Sequence, residues 1–439
     1  MSCRNPAFIP AGKIHTGRSR MPMTPILSAV TAHRLFFGLF VLCAALTPVL
    51  AIVAPLGLAP LAALIMLAAL WVYFIDGKPM HFGAIGWALT GLGLWAAISA
   101  AWSPDLGQGL KSAGRVFIFS LGGLALYTVA ARSSPLAGKV ATVLVVAFVL
   151  ALAAMAFEYI SGNKLALTLA HLKGEDGLVG LKSPLNRGVT VLMLLQWPVF
   201  LVVSRRFGRW VGLACLALTL SIVFLGDSMS AKVSALVGMA MFVLVLLLPR
   251  LGLRVLMVGV VALFVTFPIA AYRLPPPEVS FREWLWLPLS SHHRLTIWGF
   301  VGERIAEKPL LGWGMDASRA IPGGETEIKV QRPNYTNRGQ PMFEMSEQLL
   351  PLHPHNSVLQ IWLELGVLGA VAVCGAIVLM LRAVAASPWA ASEKAAAAAL
   401  FGVGLTISSI SYGFWQSWWQ AALWLSVALF AAALARSRL

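Results

Sequence analysis

Apolar positions along the chain gather into long runs near 36–53, 56–75, 83–102, 115–131, 139–160, 188–204, 210–226, 233–248, 255–271, 357–381, 395–412 and 417–435. A helix needs roughly 20 such residues to cross a hydrocarbon layer about 30 Å thick. The pattern predicts an all-α polytopic membrane protein of about twelve transmembrane helices. The count is weakest at the tight pair within 36–75, which contains Pro48, Pro55 and Pro60. The first run is longer than the apolar core of a signal sequence and lacks a cleavage site, so it reads as a retained span.

The runs divide the chain into a tail at 1–35, a nine-helix region at 36–271, a long polar segment at 272–354, a three-helix region at 355–435 and a short tail at 436–439. A smaller polar segment at 161–187 interrupts the first helical region. A loop as long as 272–354 in a compact protein points to function. It opens with Pro275, Pro276 and Pro277, and Trp284 and Trp286 suit a membrane interface. Within 294–308, Leu295, Trp298, Val301 and Ile305 recur at helical spacing, with charged residues mostly elsewhere. That predicts an amphipathic helix ended by Pro309. A turn-rich stretch follows, with no strand pattern of any length.

Hydrophobic residues make up 59% of the 439 positions and charged ones 11%, against about 25% charged in soluble domains. The formal net charge of +16 would suit nucleic acid, but the cations flank spans instead of forming a basic domain. With the N-terminus inside, the cytoplasmic loops receive Arg132, Lys139, Arg205, Arg206, Arg250, Arg254, Arg382 and others, opposed only by Asp76 and Glu393. Nearly all of the charge is then a topology signal that places 161–187 and 272–354 outside. Cys3 lies in the tail and Cys43, Cys215 and Cys374 fall inside spans, so the outer loops hold no disulfide or thiolate site.

The densest chemical signal is His-Pro-His-Asn-Ser at 353–357, leading into a span. Pro354 and Asn356 suit a helix start, from which Asn356, Gln360 and Glu364 share one face. Glu364 then lies about 12 Å below the helix start. An ionisable group at that depth faces a functional cavity or ties down the overlying loop, and the second role is the commoner. His355 stands at the mouth of this face, where imidazole suits proton transfer near neutral pH. His353 lies beside it. A second signal is cations at outer helix ends: Lys182, Asn186 and Arg187 before the sixth span, Ser228 and Lys232 between the seventh and eighth, and Arg294 at the start of the amphipathic helix. Helix N-termini with nearby arginine suit phosphate oxygens, although pairing with Glu175, Asp176 or Asp227 would also account for individual cations. There is no Asp-x-Asp, Walker loop, Gly-x-Ser-x-Gly or metal-ligand spacing. Glu325 and Glu327 read as a solvated loop, so no metal or other cofactor is expected.

The chain resembles the O-antigen ligase and O-antigen polymerase superfamily. The resemblance rests on the layout of spans, on Arg294, Trp298, Glu303, Pro309-Leu310, Gly312 and Gly314, and on His355-Asn356, Leu359-Gln360 and Glu364-x-Gly366. It implies a GT-C-like membrane glycosyltransferase at the periplasmic face of the bacterial inner membrane. The implied donor is a glycan on undecaprenyl pyrophosphate and the implied acceptor is the lipid A–core oligosaccharide. His355 would act as base on the acceptor hydroxyl in a single inverting displacement. Arg187 and Arg294 would meet the charge of the departing pyrophosphate, supported by Lys182 and Lys232. Asn186, Ser228, His353, Asn356, Gln360 and Glu364 would complete the substrate contacts. The single dominant loop favours the ligase branch. The alternatives are a polymerase that extends the lipid-linked glycan and, from a different class, a polytopic transporter. No nucleic-acid partner is implied, and the oligomeric state is not legible.

Overall fold

A computed structural model describes residues 23–76, 83–132, 137–172, 185–333 and 342–435. The helices are α1 (Met23–Val53), α2 (Leu58–Ile75), α3 (Gly83–Ser99), α4 (Leu106–Arg132), α5 (Ala137–Ser161), α6 (Lys164–Leu172), α7 (Asn186–Phe207), α8 (Arg209–Leu225), α9 (Met229–Leu247), α10 (Pro249–Tyr272), α11 (Pro277–Glu283), α12 (Leu289–Glu307), α13 (Ser357–Ala386), α14 (Ala391–Ile410) and α15 (Ser417–Ala435). Eleven of them are long and apolar enough to cross a membrane. The twelfth expected span is α8, at 17 residues, about 26 Å of helix. The prolines that blur 36–75 resolve simply: Pro48 lies inside α1, and Ala54 leaves helical geometry before the short turn Pro55–Gly57.

The bundle is organised around α7, which is enclosed almost throughout, including Trp197 and Gln196. It packs among α1, α5, α8, α14 and α15. Small residues let α9 pack closely against α14. A Cβ on Gly238 would come within 2.7 Å of the Val403 side chain, the means by which membrane helices gain dispersion contact without a hydrophobic drive. Gly238 faces Ala399 and Val403, and Gly402 faces Val237 and Met241. α9 ends beside the start of α10 and α14 begins beside the end of α13, two termini that share one cavity wall, so α9 and α14 run antiparallel. Carried along that register, the start of α9 at Ser228 reaches the level of the end of α14.

The long segment after α10 is ordered against the bundle. Ile297, Val301 and Ile305 of α12 form a second apolar core with Ala271, Ile321, Leu350, Leu359 and Leu363. At Gly302 a Cβ would meet the Tyr272 backbone at 2.4 Å, so α12 crosses over the end of α10 in contact. Two expectations are corrected here. The helix begins at Leu289, so Arg294 lies in its second turn and not at its N-terminus. A two-stranded antiparallel hairpin is present, β1 (Glu327–Pro333) with β2 (Met342–Gln348), Glu327 opposite Gln348. It escaped the sequence pattern because alternation is limited to Ile328 and Val330 in the first strand, and Met342-Phe343-Glu344-Met345 does not alternate.

The two glycine motifs meet. α13 is broken at Gly366 (φ 62°, ψ −163°), which frees backbone groups that a membrane helix must satisfy internally. The segment 309–314 supplies the partners. Trp313 N–H donates to Leu363 O at 2.7 Å, Gly314 N–H to Glu364 O at 2.9 Å, and Val367 N–H to Pro309 O at 2.9 Å. Trp95 Nε1 on α3 donates to Leu365 O at 3.0 Å. Backbones this close exclude a side chain: a Cβ on Gly312 would lie 2.6 Å from Glu364 carbonyl atoms, and one on Gly366 2.3 Å from Leu310 O.

Candidate functional site

Asn356 is the N-cap of α13, its Oδ1 accepting from Leu359 N–H at 3.0 Å. The residue before it, His355, is held in the left-handed region at φ 52°. That turn lifts the imidazole off the helix axis toward the α14–α15 connection. There its Nδ1 stands 2.6 Å from Ser411 O. A carbonyl only accepts, so Nδ1 carries the proton and Nε2 of the neutral ring keeps the lone pair. Burial pushes the His355 pKa below its ordinary value. The Ser411 bond opposes this, and the nearby charges of Arg294 and His293 add to the lowering. The ring is therefore neutral and basic at Nε2 at physiological pH.

His353 is buried (6% exposed) beneath it, with ring centroids 4.2 Å apart. Its Nδ1 accepts the His355 backbone N–H at 3.2 Å, and its Nε2 lies 3.2 Å from the Gln416 amide. Burial first, then His355 and Arg319, pull its pKa down to about 3. His353 thus props the strained turn, and it is the deeper of the two histidines.

Arg187 and Arg294 both face Tyr412, whose hydroxyl donates to Asn186 O at 3.1 Å. Asn186 and Arg187 open α7, and the Arg187 guanidinium sits over the Trp418 ring at 5.5 Å. Arg294 donates from Nη1 to Ser290 O at 3.2 Å, and its buried Nε has no partner. Burial lowers the Arg294 pKa and raises that of Tyr412. Among the described residues neither arginine is in an ion pair. Two guanidinium groups and a basic imidazole nitrogen thus gather around Tyr412 at one end of the bundle. Ser228 caps α9, accepting from Ala231 N–H at 3.4 Å, and Lys232 lies in its first turn; the antiparallel α9–α14 packing brings both to this same end. Lys182 lies outside the described residues.

Glu364 is enclosed by polar partners, and Gln360 beside it lines a small cavity with Arg319, His353 and Trp415. Glu364 is fully buried and accepts from Asp316 N–H (2.8 Å), Ser318 Oγ (2.5 Å), Gln360 Nε2 (3.0 Å) and Trp415 Nε1 (2.6 Å). Gln360 Oε1 accepts Phe414 N–H at 2.8 Å. The pair clamps the 309–318 segment and the 411–416 turn onto α13. Asp316, also left-handed at φ 55°, accepts from Ser112 Oγ at 2.5 Å and Gln108 Nε2 at 2.7 Å, and lies near Arg115 and Arg319. Among the described residues no three His, Cys, Asp or Glu side chains group as metal ligands. Tyr412, Ser411, Trp415 and Trp418 were absent from the candidates read from sequence. The signal was the polar and aromatic break Ser-Tyr-Gly-Phe-Trp-Gln at 411–416 between two apolar runs.

This fold and site define a polytopic membrane protein with a cationic, histidine-containing centre at the loop-bearing end of its bundle. Residues 214–374 match the family described as O-Antigen ligase, a segment that holds Arg294, His353, His355 and Asn356. The chain is 28% identical over 244 residues to a Rickettsia conorii protein named as a polysaccharide ligase, covering 55% of this chain and 56% of that one. A Rickettsia typhi protein of similar name is 29% identical over 244 residues, covering 55% of this chain and 57% of its own. The chain therefore matches little more than half the length of these relatives. No solved structure matches it. Across residues 214–374 the chain is similar to the O-antigen ligase family.

Proposed function

We propose that the chain is a glycosyltransferase that moves an O-antigen glycan from undecaprenyl pyrophosphate to the lipid A–core oligosaccharide, at the periplasmic face of the inner membrane. The observation that carries this reading is the Nδ1 contact of His355 with Ser411 O. It leaves Nε2 as a base beside two guanidinium groups. Nε2 would take the proton from the acceptor hydroxyl as that oxygen attacks the anomeric carbon. The carbon–pyrophosphate bond breaks on the opposite face, with inversion. Charge grows on the departing pyrophosphate, and Arg187 and Arg294 offer donors where it develops, which is where electrostatic stabilisation contributes most. The unpartnered Nε of Arg294 is one such donor. The donor glycan is already activated, so neither a nucleotide nor a metal takes part in this scheme.

A polymerase that extends the lipid-linked glycan would use the same groups. A gel profile of lipopolysaccharide from a deletion strain, with and without the gene, separates the two. Loss of every capped species, single-repeat ones included, is expected of the ligase. Retained single-repeat capping would assign the polymerase role. A transporter is disfavoured because the polar groups at the depth of Glu364 are committed to one another and the break at Gly366 is filled by backbone partners from 309–314.

A further inference from the structure

A second cationic site lies at the opposite end of the bundle from His355. Arg250 and Arg254, one turn apart at the start of α10, and Arg382, near the end of α13, line one cavity whose wall is completed by Met257, Ala385 and Ala386. Among the described residues no acidic side chain lines it. A fourth cation stands behind the wall, Lys394 Nζ donating to Ala385 O at 2.9 Å. The adjacent acid, Glu393, is committed to Arg205 and to the Ala390 N–H. A bias of cations to one end of the spans accounts for their sign. It does not account for three of them converging from two helices on one concave wall with their counter-charge missing.

We propose that this cavity seats the phosphate headgroup of an anionic phospholipid. Soluble phosphate would satisfy the arginines but leave the apolar half of the wall bare. From Met257 the surface continues along α10 through exposed Val258 and Val261, a path suited to an acyl chain. A phosphodiester with an attached diacyl body covers both parts, and basic pockets between membrane helices bind such headgroups. The lipid bridges α10 and α13, the helices that respectively carry α12 and follow His355 at their far ends.

The test uses the full chain purified in mild detergent. Native mass spectrometry should show phosphatidylglycerol or another anionic phospholipid retained by the wild type. Added phosphatidylglycerol should raise the melting temperature more than phosphatidylcholine of the same acyl chains. Each of Arg250→Gln, Arg254→Gln and Arg382→Gln should weaken phosphatidylglycerol binding by about fivefold, whereas Arg209→Gln, a cation of the same end outside the cavity, should not. Equal stabilisation of the wild type by the two lipids overturns the proposal without recourse to any variant. Equal stabilisation by inorganic phosphate at matched concentration would assign the cavity to a soluble anion and overturn the lipid. Transfer activity is not the readout, so failure here and failure of the glycosyltransferase reading are separately visible.

Discussion

The Nδ1 atom of His355 lies 2.6 Å from the carbonyl oxygen of Ser411, 56 residues further along the chain. One hydrogen bond therefore sets the tautomer of the proposed base and ties the start of α13 to the α14–α15 turn. His355→Ala should lower turnover by about 10²–10⁴-fold, the usual worth of general-base assistance, with donor binding largely kept. The wild-type rate should fall as pH drops through the His355 pKa. Burial holds that value below the ordinary 6.5, so the acid limb of the profile should lie under pH 6.5. A limb centred above 6.5 would remove His355 as the base.

Arg187→Lys and Arg294→Lys should each reduce turnover by about 10–100-fold, the loss of one charge-assisted hydrogen bond. An ammonium group cannot reproduce the planar fork that two phosphate oxygens require. Wild-type turnover in both lysine variants would reduce these arginines to local structure around Tyr412.

His353 should govern stability more than chemistry. Its pKa is about 3 in the folded chain, against about 6.5 unfolded. Between those values the unfolded chain binds the extra proton, so this contribution is complete above about pH 6.5 and declines as pH falls toward 3. Removing the ring also leaves the His355 N–H unpaired, at a cost of about 1–3 kcal/mol. Thermal melts of His353→Ala from pH 7 to pH 4 should start lower and fall less steeply than the wild type. The loss of turnover should be smaller than for His355→Ala; a dead His353 variant beside an active His355 variant would move the base to His353.

Gly366→Ala should sharply lower the yield of folded protein. Its φ is 62° and its ψ −163°, a region open essentially to glycine alone that costs another residue about 1–3 kcal/mol, and the added methyl would lie 2.3 Å from Leu310 O. Gly375→Ala, nine residues along α13 with nothing within 4 Å of its Cβ, should be tolerated. Size-exclusion profiles of the two variants in detergent make the comparison.

The proposed sidedness is open to labelling. Ser346 on β2 and Ser392 in the first turn of α14 are both exposed and lie at opposite ends of the bundle. In intact spheroplasts a membrane-impermeant maleimide should reach a cysteine at 346 and not one at 392. The reverse pattern would place the His355 site in the cytoplasm and end the periplasmic assignment.

The spans were legible in the amino-acid sequence because transfer into a hydrocarbon layer is close to a sum over neighbouring residues. The twelve runs therefore reappear as helices, with α8 merely short. The helix start at Asn356 was legible for the same local reason, as was the shared face of Gln360 and Glu364. Which polar groups meet is a different kind of quantity. Glu364 looks like a cavity residue until the 309–318 segment and Trp415 close over it, whereas Gln360 keeps a place in the wall of a small cavity. Arg187 and Arg294 become one site only because Tyr412, from a third element, stands between them. No local sum contains the Ser411 carbonyl that gives His355 its tautomer, nor the buried His353 ring that supports its left-handed turn. Those contacts depend on distant segments brought together by packing, and they decide which nitrogen can act as the base.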